Sequence, residues 1–286
     1  MAALSLRAAA AVTATDRKGW DPGPLELMYV EDLHRPFGVP VDEELLRTGA
    51  GLSHFDLAEL LLADAEIAGA ARDADLLVVV SGLPDLHPYT PLAPHLHDRL
   101  GMTGRRFTIT EQGSTAPFTA IRVASAGHRC GRTRRAAVLV VEQSTHPARG
   151  SFRERATPSD SAALLVLEEG PGLRIEEVAQ VHGTGPAALE DRLATLADGP
   201  GHALVVLGPH TDPALRPPAG AQVHRAGRTA YATGVWLELA RHHAAWTAAY
   251  DRIVLCETDA RAPGRSALLV LTAAPCAPTT GGPRAV

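Results

Sequence analysis

The chain holds a single lysine, Lys18, among 286 residues. No Gly-Lys pair precedes a serine or threonine, so a Walker A phosphate loop is excluded. Lys18 sits in a polar N-terminal loop, which argues against Schiff-base chemistry of the pyridoxal or aldolase type. Cysteine is scarce: Cys130, Cys256 and Cys276 form neither a paired framework nor a CxxC motif. Such usage fits a reducing compartment, and a cytoplasmic location is expected. Aromatic residues make up only 4%. No apolar run approaches the roughly 20 residues that a membrane helix needs. Excess positive charge is also missing. The net charge of −5 and pI near 6.2 argue against a nucleic-acid surface. The N-terminus, MAALSLRAAAAVTA, lacks a basic region ahead of its apolar run and reads as a strand rather than a secretory signal.

What is present is repetition. LLVVVSGLPD (Leu76–Asp85) returns as ALVVLGPHTD (Ala203–Asp212), and GSTAPFT (Gly113–Thr119) as GRTAYAT (Gly227–Thr233). AVLVVE (Ala137–Glu142) returns as RIVLCE (Arg252–Glu257), and AALLVL (Ala162–Leu167) as SALLVL (Ser266–Leu271). Four blocks in one order indicate a duplicated α/β unit; two copies do not make a solenoid. The halves fall at 1–169 and 170–286. Hydrophobic residues, 45% of the chain, suffice for a large core.

The pattern predicts strands at 4–13, 76–80, 107–110, 136–142, 162–168, 175–181, 203–207, 223–225, 253–257 and 267–272. It predicts helices at 56–71 with a start at Ser53, and at 92–100, 115–126, 187–197 and 229–245. Residues 15–52 read as irregular because of Pro22, Pro24, Pro36 and Pro40. The Pro/Gly/Thr-rich tail from Ala273 to Val286 reads as loose.

Ser114 follows a glycine at the start of a helix with few charges. There it is either an N-cap or a nucleophile placed at the positive end of a helix dipole. His210 follows a buried strand in Gly208-Pro209-His210-Thr211-Asp212, where the other copy has Leu83, and is the best base for Ser114. Asp212, two residues on, is either an orienting acid for His210 or, since Asp85 holds the same position in the other copy, a turn-capping residue like it. Arg228 stands where Ser114 stands in the other copy; at a buried helix start it would require an anion or a structural acid. Cys130 lies in the basic loop GHRCGRTRR, remote from the turn. His87, His95 and His97 lie in a Pro-rich stretch without metal-site spacing, the His242-His243 pair reads as lying near the end of an exposed helix, and no metal is expected.

These segments together resemble the thiolase superfamily, in its β-ketoacyl synthase III (condensing enzyme) branch. LAELLLADAEIAGAARDADLLVVVSGLPD is similar to the branch's approach to its first inner strand. FTITEQGSTAPFTAIRVASA is similar to its nucleophile segment, PSDSAALLVLE to its Gly-Asp-Gly-Ala-Ala strand entry with Asp160 as the acid, and LGPHTD to its histidine segment. AGRTAYATGVWLELA resembles its Gly-Asn-Thr segment, and DRIVLCETDARAPGRSALLVL its closing hairpin. The resemblance covers residues 50–272. It implies α/β architecture: a five-layer αβαβα sandwich of two duplicated halves.

The departures matter. The family's cysteine is replaced by Ser114 and its asparagine by Arg228; of Cys-His-Asn only the histidine survives, as His210. The stretch from Glu168 to His210 is short, which would thin the wall of an acyl-pantetheine channel. Two functions stay open. One is an acyltransferase in polyketide- or fatty-acid-like metabolism. It would take acyl groups from coenzyme A or a phosphopantetheinyl carrier protein through Ser114, with His210 and Arg228 and no permanently bound cofactor. The other is a degenerate subunit that pairs with an active ketosynthase-like protein; a homodimer or heterodimer is expected in either case.

Overall fold

The structure, a computed structural model, describes residues 3–87, 90–145, 158–183 and 185–273. Ten strands form one continuous hydrogen-bonded order, β3-β2-β4-β5-β1-β6-β10-β9-β7-β8. The first five are β1 (Leu4–Thr13), β2 (Leu76–Ser81), β3 (Arg105–Ile109), β4 (Arg135–Glu142) and β5 (Ser161–Glu169). The second five are β6 (Leu173–His182), β7 (Ala203–Leu207), β8 (Gln222–Arg225), β9 (Arg252–Asp259) and β10 (Ala262–Ala273). The pairing repeats. Strand β2 lies parallel to β3 and β4, β4 antiparallel to β5, and β5 antiparallel to β1. Likewise β7 lies parallel to β8 and β9, β9 antiparallel to β10, and β10 antiparallel to β6. Among the described residues the two sets hydrogen-bond to each other where Ser5 and Leu6 of β1 face Arg174 and Leu173 of β6.

The helices are α1 (Pro24–His34), α2 (Glu43–Thr48), α3 (His54–Leu62), α4 (Ala65–Ala71), α5 (Leu92–Arg99), α6 (Ala116–Arg129), α7 (Pro186–Ala197) and α8 (Gly234–Ala249). Alternation along the strands sorts them into layers, because successive side chains point to opposite faces. Val78, Val80, Val138 and Val140 face inward and share one core with Phe118 of α6, Trp236 of α8, and Val206 and Leu255 of the second strand set. Leu77, Val79, Leu139 and Val141 face outward onto α3, α4 and α5. Val205, Leu207, Val254 and Cys256 face outward onto α7. The result is the expected α-β-α-β-α stack, with α6 and α8 in the middle. Their rings meet there, Phe118 edge-on to Trp236 at 4.9 Å, an arrangement aromatic pairs favour.

Three predicted stretches differ. Residues 15–52 carry helices α1 and α2, because proline at the first helical position is preorganised for a helix: Pro24 opens α1, and Asp42 caps α2 by accepting from Leu45 N. The helix predicted over 56–71 is two helices. Ser53 and Asp56 form the capping box of the first, but Asp64 then accepts from Glu66 N and Ile67 N and starts a second. The last inner helix begins at Gly234, five residues later than predicted, for a reason that belongs to the site. Cys276 and the tail after Ala273 lie outside the described residues.

Candidate active site

A short 3-10 turn, Gly113–Thr115, leads into α6, whose N-cap is Thr115. Ser114 therefore is not the cap, and its side chain does not sit on free helix N–H groups. It is fully buried, and its hydroxyl donates to the carbonyl oxygen of Thr258 at 3.1 Å. The cause lies one residue earlier. Gly113 has φ +63°, and a Cβ there would stand 2.6 Å from Asp259 Oδ1. Only glycine lets this turn press against the end of β9. Arg265 anchors that end: its guanidinium pairs with Asp259 and donates to Gln112 O at 3.1 Å.

His210 stands just beyond β7. Its Nδ1 lies 3.6 Å from Glu257 Oε1, and its side chain is 9% exposed. Tyr231, fully buried, meets the imidazole edge-on at 5.7 Å. His210 lines a cavity of about 350 Å³ together with Asp212, Leu215, Thr258 and Ser266. Ser114 does not line that cavity. Gly208 allows the approach, because a Cβ at that position would overlap the carboxylate of Glu257. Ser114 and His210 thus flank consecutive residues of β9, Thr258 and Glu257. No hydrogen bond joins the two among the described residues.

Burial pushes the Glu257 carboxyl above the usual carboxylate range, and the neighbouring His210 draws it partly back. The folded state then binds more protons than the unfolded chain. The stability tied to Glu257 is full below the ordinary value of 4.5 and is lost as pH rises through the raised value. Glu257→Gln, which cannot ionise, is expected to gain stability relative to the parent between about pH 5 and about pH 8. Urea unfolding at both pH values checks this; a pH-independent difference contradicts it.

Glu142 ends β4 as Glu257 lies near the end of β9. It is also fully buried. Its carboxylate accepts from the backbone N–H groups of Tyr231 at 3.0 Å, Ala232 at 2.5 Å and Thr233 at 3.2 Å. Ser159 adds its N–H at 2.9 Å and its hydroxyl at 3.0 Å. A hydroxyl chain from Ser159 through Ser161 to Thr233 closes the ring. This carboxylate holds residues 231–233 out of the helix, which is why α8 starts late. It also corrects the reading of Arg228. Arg228 is exposed, six residues before α8, and makes no ion pair with any described residue. The carboxylate at this helix start, Glu142, is bound by backbone N–H groups and is not a partner of Arg228.

Other expected residues fall as follows. Asp212 accepts from Ala214 N at 2.8 Å, the turn-capping role read for it; Asp85 accepts from Leu86 N at 2.7 Å and from His54 N at 2.9 Å, which ties its turn to the start of α3. Asp160 accepts from the N–H and hydroxyl of Ser144. Cys130 is exposed at the end of α6; Cys256 is buried, which pushes its thiol pKa up. Sequence reasoning missed Glu142 and Glu257. The signal was present: both copies of one repeated block end in glutamate after an apolar strand, where an exposed acid would be out of place.

No family model matches the sequence. No curated protein matches it either. Solved structures do. Xanthomonas campestris OleA matches with a TM-score of 0.60 at 15% identity, over 94% of this chain and 98% of that one. A 3-oxoacyl-(acyl carrier protein) synthase III, FabH, from Pseudomonas aeruginosa matches with a TM-score of 0.59 at 15% identity, over 96% and 100%. The fold is thiolase-like. A cysteine-to-serine variant of the same OleA, solved with bound lauric acid and lauroyl-CoA, matches with a TM-score of 0.60 at 14% identity, over 94% and 99%. At such identities the likeness is one of fold, and function must be argued from the site. In this thiolase-like chain, no described helix is long and apolar enough to cross a membrane.

Proposed function

We propose that the chain is a β-ketoacyl synthase III-like acyltransferase acting on thioesters of coenzyme A or acyl carrier protein. The observation that carries this reading is His210. It stands just beyond β7, between a cavity and the buried carboxylate of Glu257, beside the end of β9 whose Thr258 carbonyl receives the hydroxyl of Ser114. Glu257 facing Nδ1 aims the other ring nitrogen away from the carboxylate, the orientation a general base requires. Ser114 Oγ would turn from the Thr258 carbonyl and attack the thioester carbon. Its proton passes to His210, the C–S bond breaks, and the leaving thiolate takes the proton. The acyl group is left as a serine ester, ready for transfer. The exposed guanidinium of Arg228 suits the phosphates of a coenzyme A or pantetheine arm. The OleA variant with bound lauroyl-CoA supports a serine as compatible with acyl-CoA binding in this fold. Two halves at 1–169 and 170–286, a cytoplasmic location and a place in fatty-acid- or polyketide-like metabolism belong to the same proposal. The repeated strand order supports the two halves.

Specific observations favour a second reading, a non-catalytic subunit. Glu142 occupies the N–H groups ahead of α8, Ser114 is sealed, and Leu83, Tyr231, Ala232 and Ala260 pack together where the halves meet. The ketosynthase-like partner, or a second copy, would dock on the edge strand β3, where Phe107 is 37% exposed. Thiol release from lauroyl-CoA separates the two readings. Release that depends on Ser114 supports the acyltransferase. No release with coenzyme A or carrier thioesters overturns it in favour of the subunit.

A further inference from the structure

The stretch of α8 from Glu238 to Trp246 faces the edge strand β8. His224 of β8 places Nε2 2.6 Å from Glu238 Oε2. His242, one helical turn after Glu238, places its Nε2 3.6 Å from the same oxygen. The three donor atoms lie within 4.8 Å of one another. Trp246, one turn further and buried, stacks on His242 at 5.0 Å and meets His224 edge-on at 5.3 Å. Both imidazoles are thus steadied by one indole. The second oxygen of Glu238 takes Arg241 Nη1 at 3.3 Å, and Arg241 is held in turn by Thr13 Oγ1 at 2.7 Å. That leaves Oε2 for the two histidines. A plain His224–Glu238 hydrogen bond accounts for one imidazole. It gives no reason for the second ring to converge on the same oxygen.

We propose that His224, Glu238 and His242 form a binding site for one divalent cation of borderline softness, with Zn²⁺ as the best fit. Two imidazole nitrogens and one carboxylate oxygen are a common zinc set, and three protein ligands leave a fourth position open. Ligand atoms about 2.0–2.2 Å from tetrahedral zinc lie about 3.4 Å apart. The observed 2.6 Å and 3.6 Å contacts to Glu238 bracket that spacing, and side-chain rotation would bring the two imidazoles, which lie within 4.8 Å, to it as well. The rings are partly exposed, which gives an ion access from solvent. A bound ion would clip β8, which among the described residues pairs in the sheet with β7 alone, onto α8. This site is independent of the acyl-transfer reading.

Isothermal titration of the full, chelator-treated chain with Zn²⁺ tests it, with Co²⁺ absorption as a second readout. One equivalent per chain and a tetrahedral Co²⁺ spectrum are expected. The double variant His224→Gln/His242→Gln is expected to weaken binding by about 100-fold or more. Its melting curve in chelator should match the parent, showing that the loss is not unfolding. Absence of saturable binding overturns the proposal, as does binding that survives the double variant.

Discussion

Glu142→Ala is expected to destabilise the chain by about 4 kcal/mol, close to the upper end for a single substitution. The carboxylate accepts from four backbone N–H groups and one hydroxyl, all around a fully buried side chain. Alanine leaves the buried N–H groups of Tyr231, Ala232 and Thr233 without this partner, and each such group costs about 1–3 kcal/mol. It also opens a void where β4 meets the approach to α8. Glu142→Gln keeps one acceptor oxygen but turns an NH₂ group toward N–H donors, and is expected to fall between the parent and alanine. Arg228→Ala, at an exposed position, is expected to stay within about 0.5 kcal/mol. Urea unfolding of the three variants checks the order. A loss below about 1 kcal/mol for Glu142→Ala contradicts the anchoring role.

His210→Ala is expected to slow acyl transfer from a thioester by about 10²–10⁴-fold, the usual contribution of a positioned base. A serine hydroxyl is a weak nucleophile at its free pKa and depends on such help. Because His210 packs against buried Tyr231 and Glu257, its removal also strands a carboxyl whose pKa burial has already raised. His210→Asn retains a polar side chain beside Glu257, so it should fold nearly as well as the parent yet remain as slow as alanine. Rates and melting curves measured together separate the chemical from the structural effect. A variant that folds and still transfers acyl groups at the parental rate contradicts the role of base.

The layers were legible because strand alternation and buried apolar runs are local signals, and the repeated blocks tied the two halves to one pattern. The breaks were less legible. Asp64 ends one helix and starts another through two side-chain bonds that hydrophobic spacing does not register. Pro24 reads as a breaker in isolation and as an initiator once α1 follows it. At the site, Ser114 and His210 were singled out by position, yet how each is held depends on partners over 40 residues away in sequence, Thr258 and Glu257. Arg228 was misread because an arginine near a helix start seems to call for an anion. Arg228 makes no ion pair with any described residue, and the acid at that helix start, Glu142, binds backbone N–H groups 89 positions away at Tyr231; long-range pairing of that kind has no local pattern. The His224, Glu238 and His242 cluster shows the same limit: Glu238 and His242 share a helix face, while β8 supplies the third member.

Peptide mapping by mass spectrometry after incubation with lauroyl-CoA and carrier-bound acyl donors tests Ser114 as nucleophile most directly. One acyl group on the peptide containing Ser114, absent in Ser114→Ala and slow to form in His210→Asn, is the expected result. An adduct that persists in Ser114→Ala, or no adduct with any donor, would contradict acyl transfer through Ser114. The latter outcome would leave the chain as the silent partner of an active ketosynthase-like protein.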